Sequence, residues 1–168
     1  MPSRRDQIKL TEAEQAELLA DERIVIVTSI GPRGWPHSMP MWFTVRDGEI
    51  WCWTFAKSQK VKNLERDPRA TLLVETGEEY QELRGVQIEA EAELIRDAPR
   101  VADFGKELTI RYAEGIDSIE GDAAAALEAQ AAKRVAVRIA SKRTATRFAA
   151  CASNAAAASP SIESMPSA

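Results

Sequence analysis

Basic residues are outnumbered in this chain, 22 lysines and arginines against 26 acidic side chains, for a net charge of −4. A phosphate backbone is held by clustered cations, so nucleic acid is not an expected partner. Long apolar runs are absent too. No segment approaches the roughly 20 apolar residues that span a bilayer, and the opening Met-Pro-Ser-Arg-Arg-Asp-Gln lacks the apolar core of a secretion signal. The expectation is a cytoplasmic protein with no membrane partner. There are only two cysteines, Cys52 and Cys151, and one histidine, His37. They give neither metal-ligand spacing nor a disulfide framework, so no metal is expected and both thiols should be free. His37 lies in a strand-like run between Pro36 and Ser38. With no nucleophile at a diagnostic spacing, a hydrolase triad is not assignable and a structural role is the simpler reading. The glycine fingerprint of dinucleotide sites, the nucleotide phosphate loop and paired histidines are also missing. No internal repeat and no βαβ series is visible, which argues against a parallel α/β sheet.

What is present suits one domain with a proper core: 168 residues, 45% hydrophobic and 29% charged. Thr11-Glu-Ala-Glu reads as a capping box that opens a helix running to about residue 20. Residues 24–30 form a β-branched run, Gly-Pro-Arg-Gly at 31–34 makes a loose turn, and a second strand-like segment runs from Trp35 to Val45. Asp47-Gly48 is a tight hairpin signal and joins it to residues 49–55, giving a three-stranded meander. Residues 69–76 read as a fourth strand. From 86 to 94 the alternation is strict, with Val86, Ile88, Ala90, Ala92 and Leu94 opposite Gln87, Glu89, Glu91 and Glu93. Residues 99–133 read as two helices broken around Gly115 to Asp122, and Val135, Val137 and Ile139 mark a last strand in which Arg134 and Arg138 face solvent. From 149 to 168 the chain is rich in alanine and serine with Glu163 as its only charge, so a disordered tail is expected beside a domain of residues 1–148. Six strands in mostly hairpin order, with helices inserted at two points, predict a mainly β fold: a small antiparallel barrel with peripheral helices.

Between the third and fourth strands, Trp53 to Pro68 joins a strand to a short cationic helix. Ser58 is suited to cap it through its side-chain oxygen, and Pro68 stops it after about ten residues. At about 100° per residue, Val61 and Leu64 define the apolar side, Lys57 and Lys60 project near it, and Lys62 and Arg66 point away and should be dispensable. Helix amides, a hydroxyl and one or two ammonium groups together make a phosphate site. Taken alone, the helix is more simply a solvated basic surface.

Three blocks over about residues 20–96 change that balance. They are Gly34-x-Pro36-His37-x-x-Pro40-Met41-Trp42-Phe43, then Trp53-Thr54-x-x-Lys57-Ser58-x-Lys60-x-x-Asn63-Leu64-x-x-Asp67-Pro68-Arg69-Ala70, then Arg84-Gly85-Val86-x-Ile88-Glu89-Ala90-x-Ala92-Glu93. In this order and context they resemble the pyridoxamine 5′-phosphate oxidase-like superfamily. The resemblance implies a six-stranded antiparallel split β-barrel that forms a homodimer, with flavin-type cofactors in clefts between the subunits. It carries the cofactor phosphate to Lys57, Ser58, Lys60 and Asn63, and sets Thr54 and the Pro40-Met41-Trp42 segment beside the ring system.

Departures from the pattern bear on the cofactor. The flavin-mononucleotide oxidases place an arginine beside the phosphate-corner lysine, where this chain has Gln59 before Lys60. They also carry a glutamine after the later arginine, where Arg84 is followed by Gly85. Lys57, Pro40, Met41 and Trp42 make the chain more similar to the branch that binds the deazaflavin coenzyme F420. A Trp-x-x-x-Lys type ending is replaced by Arg143-Thr-Ala-Thr-Arg-Phe-Ala-Ala, which leaves a cofactor contact from that end without support. The implied activity is hydride transfer from reduced F420 to a conjugated small molecule. An FMN-dependent oxidoreductase, and a non-enzymatic carrier of flavin, deazaflavin or haem, are the alternatives on the same fold. Trp42 suits either covering a substrate or packing between subunits, and Trp51 and Trp53 suit the core or an interface. No catalytic residue is assignable; Tyr80, Tyr112 and His37 are proton-donor candidates by elimination.

Overall fold

The computed structural model describes residues 9–80, 82–143 and 147–149. The expected tail falls outside these from residue 150 onward, as does Cys151. In chain order the elements are α1 (Glu12–Asp21), β1 (Ile24–Ile30), β2 (Pro36–Arg46), β3 (Glu49–Phe55), α2 (Gln59–Arg66), β4 (Arg69–Thr76), β5 (Arg84–Ile95), α3 (Ala98–Tyr112), α4 (Gly121–Ala131), β6 (Arg134–Arg143) and β7 (Arg147–Ala149).

Local sequence accounts for the boundaries. At the start of α1, Glu14 N donates to Thr11 Oγ1 at 3.2 Å and Thr11 N donates to the Glu14 carboxylate at 2.7 Å, the expected capping box. Between β2 and β3, Asp47 (φ 52°) and Gly48 (φ 77°) are both left-handed, as a type I′ turn requires. Asp97 caps α3 by accepting from Arg100 N at 3.1 Å.

All strand pairs are antiparallel, and the order β4-β1-β2-β3-β6-β5 closes through pairing of β5 with β4. This is the expected six-stranded barrel with peripheral helices. The seventh strand is an addition to the reading above. Pairing of β5 with β6 shifts register between Glu89 and Ala90, and β7 takes up the same edge of β5 at Arg84 to Val86. Thus β6 and β7 share one broken edge, which Arg143 and Arg147 delimit.

Two apolar clusters result. Val25, Val27, Phe43, Cys52, Leu72, Val74, Val137 and Ile139 fill the barrel, with Val61 and Leu64 of α2 plugging one end. Outside it, Val101, Phe104 and Leu108 of α3 pack with Trp51, Ala136 and Ile95. Trp51 is therefore a core residue, as one of its two readings held. Among the described residues no helix is long and apolar enough to cross a membrane.

Candidate functional site

The barrel opens where β2 changes partner. Its residues 36–42 pair with β1, and residues 43–46 pair with β3. β1 begins at Ile24 opposite Trp42, and the β2–β3 ladder stops at Phe43 opposite Cys52. Beyond Cys52, β3 pairs only with β6. A gap therefore separates residues 36–42 from residues 53–55. The Tyr112 hydroxyl sits at the fork: it accepts from Phe43 N at 2.9 Å and lies 2.9 Å from Phe43 O, while also bonding Arg23 O. Because Phe43 turns its amide and carbonyl toward Tyr112, alternation along the strand turns those of Trp42 toward the gap.

The corner between β3 and α2 forms the other bank. Thr54 is buried and faces the barrel interior with Cys52; Lys60 reaches back to it, donating from Nζ to Thr54 Oγ1 at 3.2 Å. Burial lowers the Lys60 pKa, and the neighbouring Cys52 thiol, itself pushed up to about 12 by burial, opposes that only as a lesser influence. Cys52 is free and held as an inert thiol. Ser58 occupies the N-cap position, but the expected cap bond is not made. Instead its Oγ is buried with no hydrogen-bond partner. Lys57 is exposed at the tip of the turn. Asn63, 0% exposed, spends its amide within the fold, donating to Ser29 Oγ at 3.1 Å and accepting from Gln59 at 2.8 Å. Arg66 does not simply point away: its guanidinium bonds the carbonyl of Ile30 and so ties α2 to the end of β1. That bond is to the fold rather than to the corner.

The structure thus brings Thr54, Ser58 and Lys60 together, with Lys57 beside them and Asn63 beneath. Met41 is buried and faces inward across the gap, whereas Pro40 and Trp42 lie on the outer face of β2. Trp42, 54% exposed, stacks on Tyr112 with centroids 4.5 Å apart and planes 14° apart. Among the proton-donor candidates, Tyr112 has its hydroxyl engaged with backbone, Tyr80 is exposed, and His37 keeps a buried Nδ1 with no partner. Arg134 overturns the solvent-facing expectation. Its guanidinium carbon lies 4.4 Å from the Trp53 ring centroid and 4.2 Å from that of Phe55. Arg138 keeps partners on both neighbouring strands, bonding Glu49 at 2.5 and 2.8 Å and Glu93 at 2.9 Å. Arg134 was not singled out as a site residue and Tyr112 was named only as a proton-donor candidate, since they act from 79 and 69 positions away from Phe55 and Phe43, beyond any local pattern. A separate groove of about 650 Å³ runs over the outer faces of β1, β4 and β5, lined by Thr28, Ile30, Thr71, Glu89 and others.

The pyridoxamine 5′-phosphate oxidase family model matches residues 11–149, which takes in every element from the α1 capping box to β7. The chain belongs to the pyridoxamine 5′-phosphate oxidase family. No curated protein matches. Among solved structures, the conserved hypothetical protein Rv2991 from Mycobacterium tuberculosis is 34% identical, with a TM-score of 0.79 over 96% of this chain and 100% of that one. An F420 reductase shares the fold at 20% identity and a TM-score of 0.58, over 80% of this chain and 95% of that one. The haem storage protein HutZ from Vibrio cholerae does so at 14% identity and 0.64, over 82% and 94%. A reductase and a haem storage protein share this fold, so fold alone does not choose between such roles. The residues of this family member fit a phosphate at the corner: a buried hydroxyl without a partner, a partly desolvated ammonium and the free first-turn amides of α2. No group of three or more His, Cys, Asp or Glu among the described residues is placed to hold a metal.

Proposed function

We propose that this protein is a homodimeric, F420-dependent reductase that binds its deazaflavin in the split between β2 and β3. The observation that carries the reading is the conjunction of that gap with the orphaned Ser58 Oγ and the desolvated Lys60 on its bank. Lys57, Ser58, Lys60 and the first amides of α2 hold the phosphate, each charge-assisted bond contributing about 1.5–3 kcal/mol when shielded from water. Thr54 fixes the Lys60 ammonium, and Asn63 acts from below by fixing Gln59 and the first turns of α2. Main-chain groups of Trp42 border the ring, with Pro40 and Met41 on the same bank. The exposed Trp42 ring, propped on Tyr112, covers a flat conjugated substrate or meets the second subunit. When bound, the deazaflavin supplies a hydride; the protein supplies orientation and exclusion of water. The preference for F420 over FMN rests on Gln59 and Gly85 standing where the FMN oxidases are expected to carry arginine and glutamine.

The test is a titration against F420 and FMN in parallel, followed by turnover with a panel of quinones and enones. Tighter F420 binding with substrate reduction supports the reading. Tighter FMN binding makes the protein a flavin oxidoreductase, and tight binding without turnover makes it a carrier.

A further inference from the structure

Arg134 is a cation placed at some energetic cost with nothing among the described residues to neutralise it. It opens β6 directly across from Phe55, and the bond from Ala56 N to Lys133 O (3.0 Å) fastens this point to the turn that carries Lys57 and Ser58. Its Nε is buried without an acceptor, and so is Nε1 of Trp53, the ring it covers. Trp53 is backed by α3, since a Cβ on Gly105 would come within 2.7 Å of its ring: the indole packs directly against the helix. Phe55, on the other side, is 57% exposed. Two aromatic rings, one of them backed by α3, thus present a guanidinium beside the corner. Lys57, Lys60, Lys133 and Arg134 make no ion pair among the described residues, whereas Arg46, Arg69, Arg96 and Arg138 all do. Guanidinium is the group suited to this arrangement, since it stacks on aromatic faces while keeping in-plane donors for an oxyanion.

We propose that Arg134 forms a second anion subsite, on the outer side of the corner, for a carboxylate or phosphate borne by the same ligand whose first phosphate is held at Ser58 and Lys60. This rests on the phosphate reading of the corner, and it narrows the ligand to a flavin-type molecule with at least two acidic groups.

Arg134→Gln and Arg134→Lys are titrated against FMN, which has one phosphate, FAD, which has two, and F420, which adds carboxylates. Arg134→Gln should weaken F420 or FAD by about tenfold or more and leave FMN within about twofold, one charge-assisted contact being lost. Arg134→Lys should fall between. A loss confined to F420 assigns the subsite to carboxylate, and one confined to FAD assigns it to phosphate. Equal losses for all three ligands, no loss for any, or dissociation of a dimer on Arg134→Gln would overturn the proposal, the last by assigning the guanidinium to a partner-subunit carboxylate. If the wild type binds none of the three, the cofactor reading fails. Pyrophosphate then decides the subsite alone: thermal stabilisation that Arg134→Gln abolishes sustains it, and stabilisation unchanged or absent removes it.

Discussion

Lys60 embodies a conflict that a bound anion would relieve. Burial holds its pKa below the ordinary 10.5, so in the ligand-free protein the protonated side chain works against folding. The sign follows from proton linkage: between the folded and unfolded pKa values the unfolded chain binds more protons, so stability rises with pH across that window. Lys60→Met should therefore melt at a temperature equal to or above that of the wild type near neutral pH, within about 1 kcal/mol. The difference should shrink as the solution becomes alkaline. Phosphate-bearing ligands should bind the same variant about 1.5–3 kcal/mol more weakly. Melting curves with and without ligand check both halves, and a variant less stable without ligand yet equal in affinity would make Lys60 a structural residue. Asp67 behaves oppositely. Arg69, bonded through its side chain and backbone, holds the Asp67 carboxyl at about 2, below its ordinary 3.8. That contribution is present above pH 3.8 and is lost as pH falls toward 2. A stability gap between wild type and Arg69→Gln measured at pH 5 should narrow below pH 3.8 and close only as pH falls through about 2.

At the scale of elements, α3 does more than cover the sheet. Tyr112, its last residue, bonds the main chain of Phe43 just ahead of the start of β1, and so completes a ladder that no strand supplies. Tyr112→Phe keeps the stack on Trp42 but leaves a half-buried amide without a partner, at a cost of about 1–3 kcal/mol in chemical denaturation. Gly105→Ala strikes the middle of the same helix by driving a methyl into Trp53, and should cost about 1–3 kcal/mol through overpacking. Such features show which parts of the fold were legible. The capping box at Thr11, the Asp47-Gly48 turn and the alternation from Val86 to Leu94 depend on neighbours within a few residues, and each matches its element. The barrel split depends on register between strands, set by where β1 begins relative to Trp42, and no local pattern encodes that. For the same reason Ser58 was placed correctly at the N-cap while its missing bond was not foreseeable. Whether Oγ meets an amide or stays unpaired is decided by packing around it. β7 escaped notice because three residues on a broken edge carry no periodicity.

On the scale of the molecule, the outer face of β1 and β2 is the surface a lone subunit would least readily leave in water. Ile24, 43% exposed, is the cross-strand partner of Trp42, 54% exposed, and Ile26 stands opposite Pro40 on one side and Leu73 on the other. This apolar face borders the same gap that receives the cofactor in the proposed function. A second copy seated there would bury it and close the cleft, and aromatic and aliphatic anchors of this kind dominate subunit interfaces. Sedimentation should then give about twice the 18.5 kDa chain mass. Ile24→Glu sets a charge in the middle of that face without touching the barrel interior, to which Ile24 does not belong. It should shift the equilibrium toward monomer, an isolated buried carboxylate being far more costly than an exposed one. With the cleft completed by a second subunit, as the proposed function has it, F420 affinity should fall in step with dimer content, and recover at protein concentrations that restore the dimer. A wild-type chain that sediments as a monomer at every concentration, or an Ile24→Glu monomer that binds F420 as well as wild type, would detach the cleft from the interface and place the whole cofactor site within one barrel.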